Sequence, residues 1–246
     1  MTIITSKSNS LVKNTKKLHR KKYRKNSYLI EGWHLYEEAL AAGATFRYIF
    51  TLADYENRIT DKDKLVLVSP EVLSDLSDAP SPQGIVAEIA FPSLVEVPEF
   101  RGKWLFLESI QDPGNLGTMI RTADAAGFAG VLVSDDAADI YHIKTLRSMQ
   151  GSHFHLPVYR MSRERVFELT ENQGLPIWAT TLSEDSVDYR TLDKPENVLL
   201  VMGNEGQGIS QQVADKADFR VHIPMPGQSE SLNVAVAAGI VMFSMI

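Results

Sequence analysis

The chain has 246 residues, 44% of them hydrophobic and 23% charged, a globular balance that excludes wholesale disorder. It contains no cysteine, so disulfide scaffolds, thiolate metal sites and cysteine nucleophiles are excluded together. The formal net charge is -6, yet nine bases and no acid fall in residues 1–30, which leaves 16 bases against 31 acids in the remainder.

That asymmetry describes a basic arm in front of an acidic body. Lys13, Lys16, Lys17, Arg20, Lys21, Lys22, Arg24 and Lys25 are the candidate contacts to RNA phosphates, with a solvated basic helix as the plainer reading. Nothing at the start has the order of a secretory signal. The apolar stretch 232–246 is shorter than the ~20 residues a bilayer span needs, so a soluble cytoplasmic protein is expected.

Behind the arm, 27–30 reads as a strand and 33–42 (WHLYEEALAA) as a helix that Gly43 ends. Residues 46–51 and 65–68 read as buried strands, Pro70 opens a short helix, and 84–89 is a further strand. Together 1–92 form a small α/β domain carrying the arm. Residues 93–102, which follow Pro92 and hold Pro98, a glycine and no helical period, are taken as a linker.

From 103 to 246 the pattern becomes regular. Short apolar runs at 103–107, 130–133, 155–159, 176–180, 198–202 and 219–223 alternate with helical stretches at 116–126, 140–149, 163–171 and 209–217, and a last helix begins near 232. Continuous apolar strands alternating with helices imply an α/β fold with a parallel sheet covered on both faces. Ligands of such sheets bind beyond the C-terminal ends of the strands, which singles out the loops after 107, 180, 202 and 223.

In the first of these loops Asn115 is placed to cap a helix after a turn at Pro113 and Gly114, and Arg121 lies within that helix's second turn. The loop after 202 reads Gly203-Asn-Glu205-Gly206-Gln-Gly208-Ile-Ser210. Its glycine spacing is not that of the dinucleotide fingerprint, and Ile209 stands where a phosphate-cradling loop needs lysine, so neither NAD nor ATP is expected. The loop from Pro224 to Asn233 offers backbone groups beside Met225 and caps from Ser229 or Ser231, a setting suited to a flat heterocycle such as adenine. No metal is expected. His153 and His155 share a strand face and read as structural, and Asp135, Asp136 and Asp139 read as a solvated loop.

Taken together, Asn115-Leu-Gly-Thr-Met-Ile-Arg121-Thr-Ala, Val201-Met-Gly203-Asn-Glu205-Gly206-Gln-Gly208 and Ile223-Pro-Met225 followed by Ser231-Leu-Asn233-Val-Ala resemble the three signature motifs of the SpoU–TrmH (SPOUT class) family of RNA ribose 2′-O-methyltransferases. The earlier stretch Tyr28-Leu-Ile-Glu-Gly-Trp-His-Leu-Tyr-Glu-Glu-Ala-Leu40 is similar to the substrate-binding domain of such enzymes.

The resemblance implies a trefoil-knotted methyltransferase domain over 103–246, a homodimer with active sites at the interface, and S-adenosyl-L-methionine as cofactor. It implies cofactor contacts from Thr181, Leu182, Gly203, Gly208, Ile223, Met225, Leu232 and Asn233. Around the reacting ribose it places Arg121, Asn115, Glu205, Ser231 and Asn233. In-line methyl transfer is mostly alignment, and a guanidinium hardly deprotonates. Arg121 is therefore expected to bind the adjacent phosphate and polarise the hydroxyl, with Glu205 orienting Arg121 or the ribose and Asn115 with Asn233 fixing the nucleotide. The expected substrate is 23S ribosomal RNA. The alternatives are a tRNA 2′-O-methyltransferase, or a non-catalytic RNA-binding or ribosome-assembly factor on the same fold.

Overall fold

A computed structural model describes residues 2–94 and 99–246. The first elements are α1 (Ser10–Lys17), β1 (Ser27–Glu31), α2 (Trp33–Ala41), β2 (Phe46–Thr51), β3 (Leu65–Leu67), α3 (Pro70–Leu76) and β4 (Ile85–Ala90). Then follow β5 (Lys103–Leu107), α4 (Pro113–Ala125), β6 (Gly130–Val133), α5 (Ile143–Met149), β7 (Val158–Arg160), α6 (Arg163–Gln173) and β8 (Ile177–Thr180). The last are β9 (Val187–Asp188), β10 (Val198–Met202), α7 (Gln211–Lys216), β11 (Phe219–His222) and α8 (Val234–Ser244). They divide into two compact units, Met1–Ser93 with Tyr141–Phe154, and Leu94–Ile140 with His155–Ile246.

The first unit is built on a four-stranded sheet in the order β1-β4-β2-β3. β4 runs antiparallel to both neighbours, and β3 runs parallel to β2. Gly32 enters α2 at φ 89°, and Gly43 leaves the turn after it at φ 69°, backbone angles that a residue with a Cβ resists. The basic segment is a docked helix, not a free arm. Asn9 caps α1, and Val12 and Leu18 pack with Val72, Leu73 and Leu76 of α3 in one apolar cluster. Lys13 and Lys17 stay exposed, while Lys16 pairs with Asp75 at 2.5 Å.

Helix α5 belongs to this unit as well. Ile143, Leu146 and Met149 are buried, and the Arg147 guanidinium pairs with Glu31 at 2.8 Å. The sequence pattern sets 140–149 among the helices of the larger sheet; an amphipathic period shows that a face is buried but not against what. His153 lies in a 3₁₀ turn and meets the Tyr28 hydroxyl at 2.9 Å, whereas His155 precedes β7 and binds Asp124, so the two share no strand face.

The second unit holds a seven-stranded sheet in the order β7-β6-β5-β10-β8-β11-β9, with every pair parallel. One face packs Trp104, Phe106, Leu132, Val166, Leu169, Ile177, Leu199 and Val213 into a single cluster. Each such side chain contributes about 1.5–3 kcal/mol on full burial. Residues 99–102, expected to be linker, are docked here. The Phe100 N–H donates to Gln173 at 2.8 Å, and the Gly102 N–H donates to Asn197 at 2.7 Å. Linker positions 95–98 lie outside the described residues.

Two caps differ from expectation. α4 starts at Pro113 and is capped by Asp112, whose carboxylate accepts the Asn115 N–H at 2.9 Å, so the Asn115 side chain is released for other bonds. α8 is capped by Asn233 and not by Ser229 or Ser231, because the chain stays non-helical to 233. Among the described residues no helix is long and apolar enough to cross a membrane.

Candidate active site

Strands β5, β10, β8 and β11 are consecutive in the parallel sheet, so the loops after their C-terminal ends gather at one edge. Between three of those loops and the start of α8 lies a cavity of about 520 Å³. Of the expected cofactor-contacting residues, Thr181, Leu182, Gly203, Gly208, Ile223, Met225 and Leu232 line it, and so do Glu205 and Ser231. Asn233, Asn115 and Arg121 are not among its lining residues. The walls are apolar where Met202, Val221, Val234, Ala237 and Val241 contribute, and the mouth is polar.

The glycine loop closes on itself. Asn204 and Gly208 exchange backbone hydrogen bonds of 2.8 and 2.9 Å, and the Asn204 side-chain oxygen accepts the N–H groups of Gly206 and Gln207. A Cβ at Gly203 would sit 2.3 Å from the Gly208 carbonyl carbon, and Gly208 has φ 71°. These two glycines are therefore required by the turn itself.

Closure aims Glu205 at the loop after β5. Its carboxylate accepts the backbone N–H groups of Gln111 (3.1 Å) and Asp112 (3.0 Å) and the Asn115 side-chain amide (3.2 Å). Partial burial opposes ionisation of Glu205, but these donors and its own backbone N–H hold it below the usual carboxylate range. Asn115 in turn accepts from the Asn233 side chain at 3.1 Å, which joins all three loops in one chain of bonds.

The expected partnership of Glu205 with Arg121 is not present. Arg121 is exposed on α4, and its side chain makes no hydrogen bond or ion pair among the described residues. Glu205 is fully engaged by the loop 111–115 instead. Ser231 is exposed, and its carbonyl accepts from Ser229.

A second set of polar residues lies behind the loops; Glu108 and Arg163 were missed in the sequence, and Asp136 reads there as part of a solvated loop. Glu108, the residue after β5, is only 1% exposed and pairs with Arg163 of α6 at 2.6 Å. Arg163 also pairs with Asp136 at 2.6 Å. Burial opposes ionisation of Asp136, but hydrogen bonds from Ser134, Arg163 and Ser109, together with the Arg163 charge, bring it down to about 2. The only sequence signal for Glu108 was a carboxylate ending an apolar run, and its partner Arg163 stands 55 residues away.

Residues 103–243 match the SpoU rRNA Methylase family, and residues 9–87 match the MRM3-like substrate binding domain. Over 98% of its length, and 97% of the relative's, the chain is 41% identical to the 23S rRNA (guanosine(2553)-2'-O)-methyltransferase RlmP of Bacillus subtilis. The AdoMet-bound rRNA methyltransferase from Sinorhizobium meliloti is similar in structure, with a TM-score of 0.90 and 32% identity over 99% of this chain and 97% of that one. The SpoU methyltransferase AviRb from Streptomyces viridochromogenes, in complex with AdoMet, gives a TM-score of 0.85 and 28% identity over 96% and 97% of the two chains.

Proposed function

The chain belongs to the SpoU rRNA methylase family, and on that premise we propose that it transfers the methyl group of S-adenosyl-L-methionine to a ribose 2′-hydroxyl of 23S ribosomal RNA. The observation that carries the reading is a half-apolar cavity beside the joined side chains of Asn115, Asn233 and Glu205. The residues present suit the cofactor. Met202, Val221 and Ile223 supply apolar surface for a heterocycle, the loop backbone at its mouth supplies donors and acceptors, and the Ser183 hydroxyl is buried without a hydrogen-bond partner among the described residues. Thr181, Leu182, Gly203, Gly208, Ile223, Met225 and Leu232 would hold it, with Asn233 fixing the loop beside them. When bound, it supplies an electrophilic methyl group on a sulfonium.

The chain's own residues then have to orient a ribose and manage one proton. Among the described residues Arg121 has no protein partner, and it is permanently charged, so it serves as a clamp on the phosphate beside the target ribose and polarises the 2′-hydroxyl, whose proton passes to that phosphate. Glu205, held ionised, ties its loop to Asn115 and so presents the amide groups of Asn115 and Asn233 to the nucleotide. Ser231 lies at the cavity mouth, within the same cluster.

Further parts of the reading rest on more general support. The exposed cations of α1 and the turn after it, Lys13, Lys17, Arg20, Lys21, Lys22 and Lys25, suit RNA phosphates, with Arg24 half-buried among them and Lys16 shared with Asp75. A trefoil knot over 103–246 rests on the family match to residues 103–243. A homodimer is supported by the apolar outer face of α8. A 23S ribosomal RNA substrate is consistent with work in the cytoplasm.

The test is transfer of labelled methyl from S-adenosylmethionine to 23S RNA from a strain lacking the gene, followed by mapping of the 2′-O-methyl site. Label at a ribose 2′-oxygen is the expected result. Label on a base, or cofactor binding without any transfer to RNA, would end the reading.

A further inference from the structure

We infer that Arg163, which does not line the cavity, is a positioning residue for methyl transfer: through the buried Glu108 carboxylate and the Ser109 hydroxyl it holds the two site-bearing loops in register. The inference rests on the functional reading above.

A carboxylate as buried as Glu108 is costly unless it is paired and hydrogen-bonded, and an apolar residue would fill the space at lower cost. Its bonds show what the charge does. One oxygen accepts from Arg163 Nε at 2.6 Å, and the other accepts the Ser210 N–H at 2.8 Å. Ser210 caps α7 and ends the glycine loop, so Glu108 fixes the far end of that loop to the end of β5.

The rest of the guanidinium acts on Ser109. Arg163 Nη2 donates to the Ser109 hydroxyl at 2.5 Å and to Asp136 at 2.6 Å. Ser109 has φ 55°, a left-handed conformation that strains a non-glycine residue and persists only where its surroundings impose it. In that conformation its carbonyl accepts the Asn204 amide at 2.8 Å and the Gln111 amide at 3.0 Å.

Arg163 thus controls both ends of the glycine loop, Asn204 through Ser109 and Ser210 through Glu108. Between them Glu205 reaches across to Gln111, Asp112 and Asn115. A shift at Ser109 or Ser210 therefore becomes a shift of Asn115 relative to the cavity.

The test uses R163K and the pair R163M and R163M/E108Q in the full-length protein. Lysine keeps a charge beside Glu108, but a single ammonium cannot reproduce the fork to Glu108, Ser109 and Asp136. For R163K, kcat should fall about ten- to a hundredfold, as expected for displacement of about 1 Å, with Tm little changed. Hydrogen exchange at the Gln111, Asp112 and Ser210 amides should speed up. R163M leaves Glu108 unpaired and should lose stability; adding E108Q should restore Tm but not kcat.

Wild-type kcat in R163K, recovery of kcat together with Tm in the double variant, or exchange at the three amides unchanged in R163K would each overturn the inference. Wild-type protein that bound the cofactor and methylated no RNA would remove the functional reading instead, while the exchange comparison would still decide the role of Arg163.

Discussion

The Asn233 side-chain amide donates to the Asn115 side-chain oxygen at 3.1 Å across 118 residues of chain. The same Asn233 side chain caps α8, accepting the N–H groups of Ala235 (2.9 Å) and Val236 (3.3 Å) with its oxygen. One residue thus starts a helix and sets a site residue, and the two roles separate by substitution. Asn233→Ala removes both, costing about 1 kcal/mol of stability from the lost cap and lowering kcat. Asn233→Asp keeps the cap but faces the Asn115 oxygen with a second acceptor. Rotating the Asn115 amide would only turn its oxygen toward the Glu205 carboxylate. Melting curves and methyl-transfer kinetics check the separation: N233D should keep its Tm and lose at least tenfold in kcat. An N233D enzyme of normal turnover would show that the Asn233–Asn115 bond is not used.

Arg121 offers the opposite case, a side chain with no structural task. It is exposed and makes no bond among the described residues, so Arg121→Ala should change stability by no more than about 0.5 kcal/mol. Methyl transfer should nevertheless collapse, with cofactor affinity by calorimetry unchanged, because the proposed role of the guanidinium is on RNA and Arg121 does not line the cavity. Arg121→Lys should recover only part of the activity, since an ammonium cannot hold a phosphate bidentately. Near-normal turnover in R121A would remove the residue from the reaction.

The docking of α1 changes how the basic segment must be tested. Deleting residues 1–25 would strip Val12 and Leu18 from the core and confuse binding with folding. Lys13→Gln, Lys17→Gln and Lys21→Gln touch only exposed positions. Each should weaken RNA binding about equally for all sequences and reduce the salt slope by about 1, read from Kd against ionic strength. Lys16→Gln should do less, because Asp75 already neutralises it. Salt slopes unmoved by the three substitutions would place the RNA on another face.

The larger sheet was legible because a parallel strand buried on both faces is a short unbroken apolar run. Lys103–Leu107, Gly130–Val133 and Val198–Met202 form as read, and the loops beyond β5, β10 and β11 do meet. What sequence could not carry was partnership at a distance. Nothing in the period of 140–149 says that its buried face belongs to the first unit, and nothing near Arg163 announces Glu108. The caps were misread for a local reason. Asn115 and Ser231 are good capping types, but Asp112 precedes Pro113 at the first helical position, and Asn233 stands directly before the helical run.

Acid should reveal the network behind the loops. Asp136, ordinarily near 3.8, is held at about 2 in the folded protein, so its charged form stabilises the fold above pH 3.8 and that contribution is lost as pH falls toward 2. Glu205 is lowered too and acts in the same direction. Tm measured from neutral pH down to about 2 should therefore drop, and Asp136→Asn should flatten the part of the curve below pH 3.8. A D136N curve parallel to the wild type throughout would show that Asp136 titrates alike in folded and unfolded chains.

Helix α8 carries the remaining prediction. It is apolar all round, which belongs to a helix covered on every side, yet only Ala235, Ala238, Val241 and Met242 are buried in it. Val236 is 53% exposed and Phe243 50%, and with Ile246 they leave an uncovered apolar face. A second copy of the chain is the proposed occupant, since the family resemblance implies a homodimer with active sites at its interface. Phe243→Glu should leave Tm of the isolated subunit unchanged, because the side chain already meets water, and should shift sedimentation from dimer to monomer. Activity should fall with the dimer fraction and return as protein concentration is raised. A monomeric F243E protein with full activity would separate catalysis from association, and would require every group that touches the ribose to come from one chain.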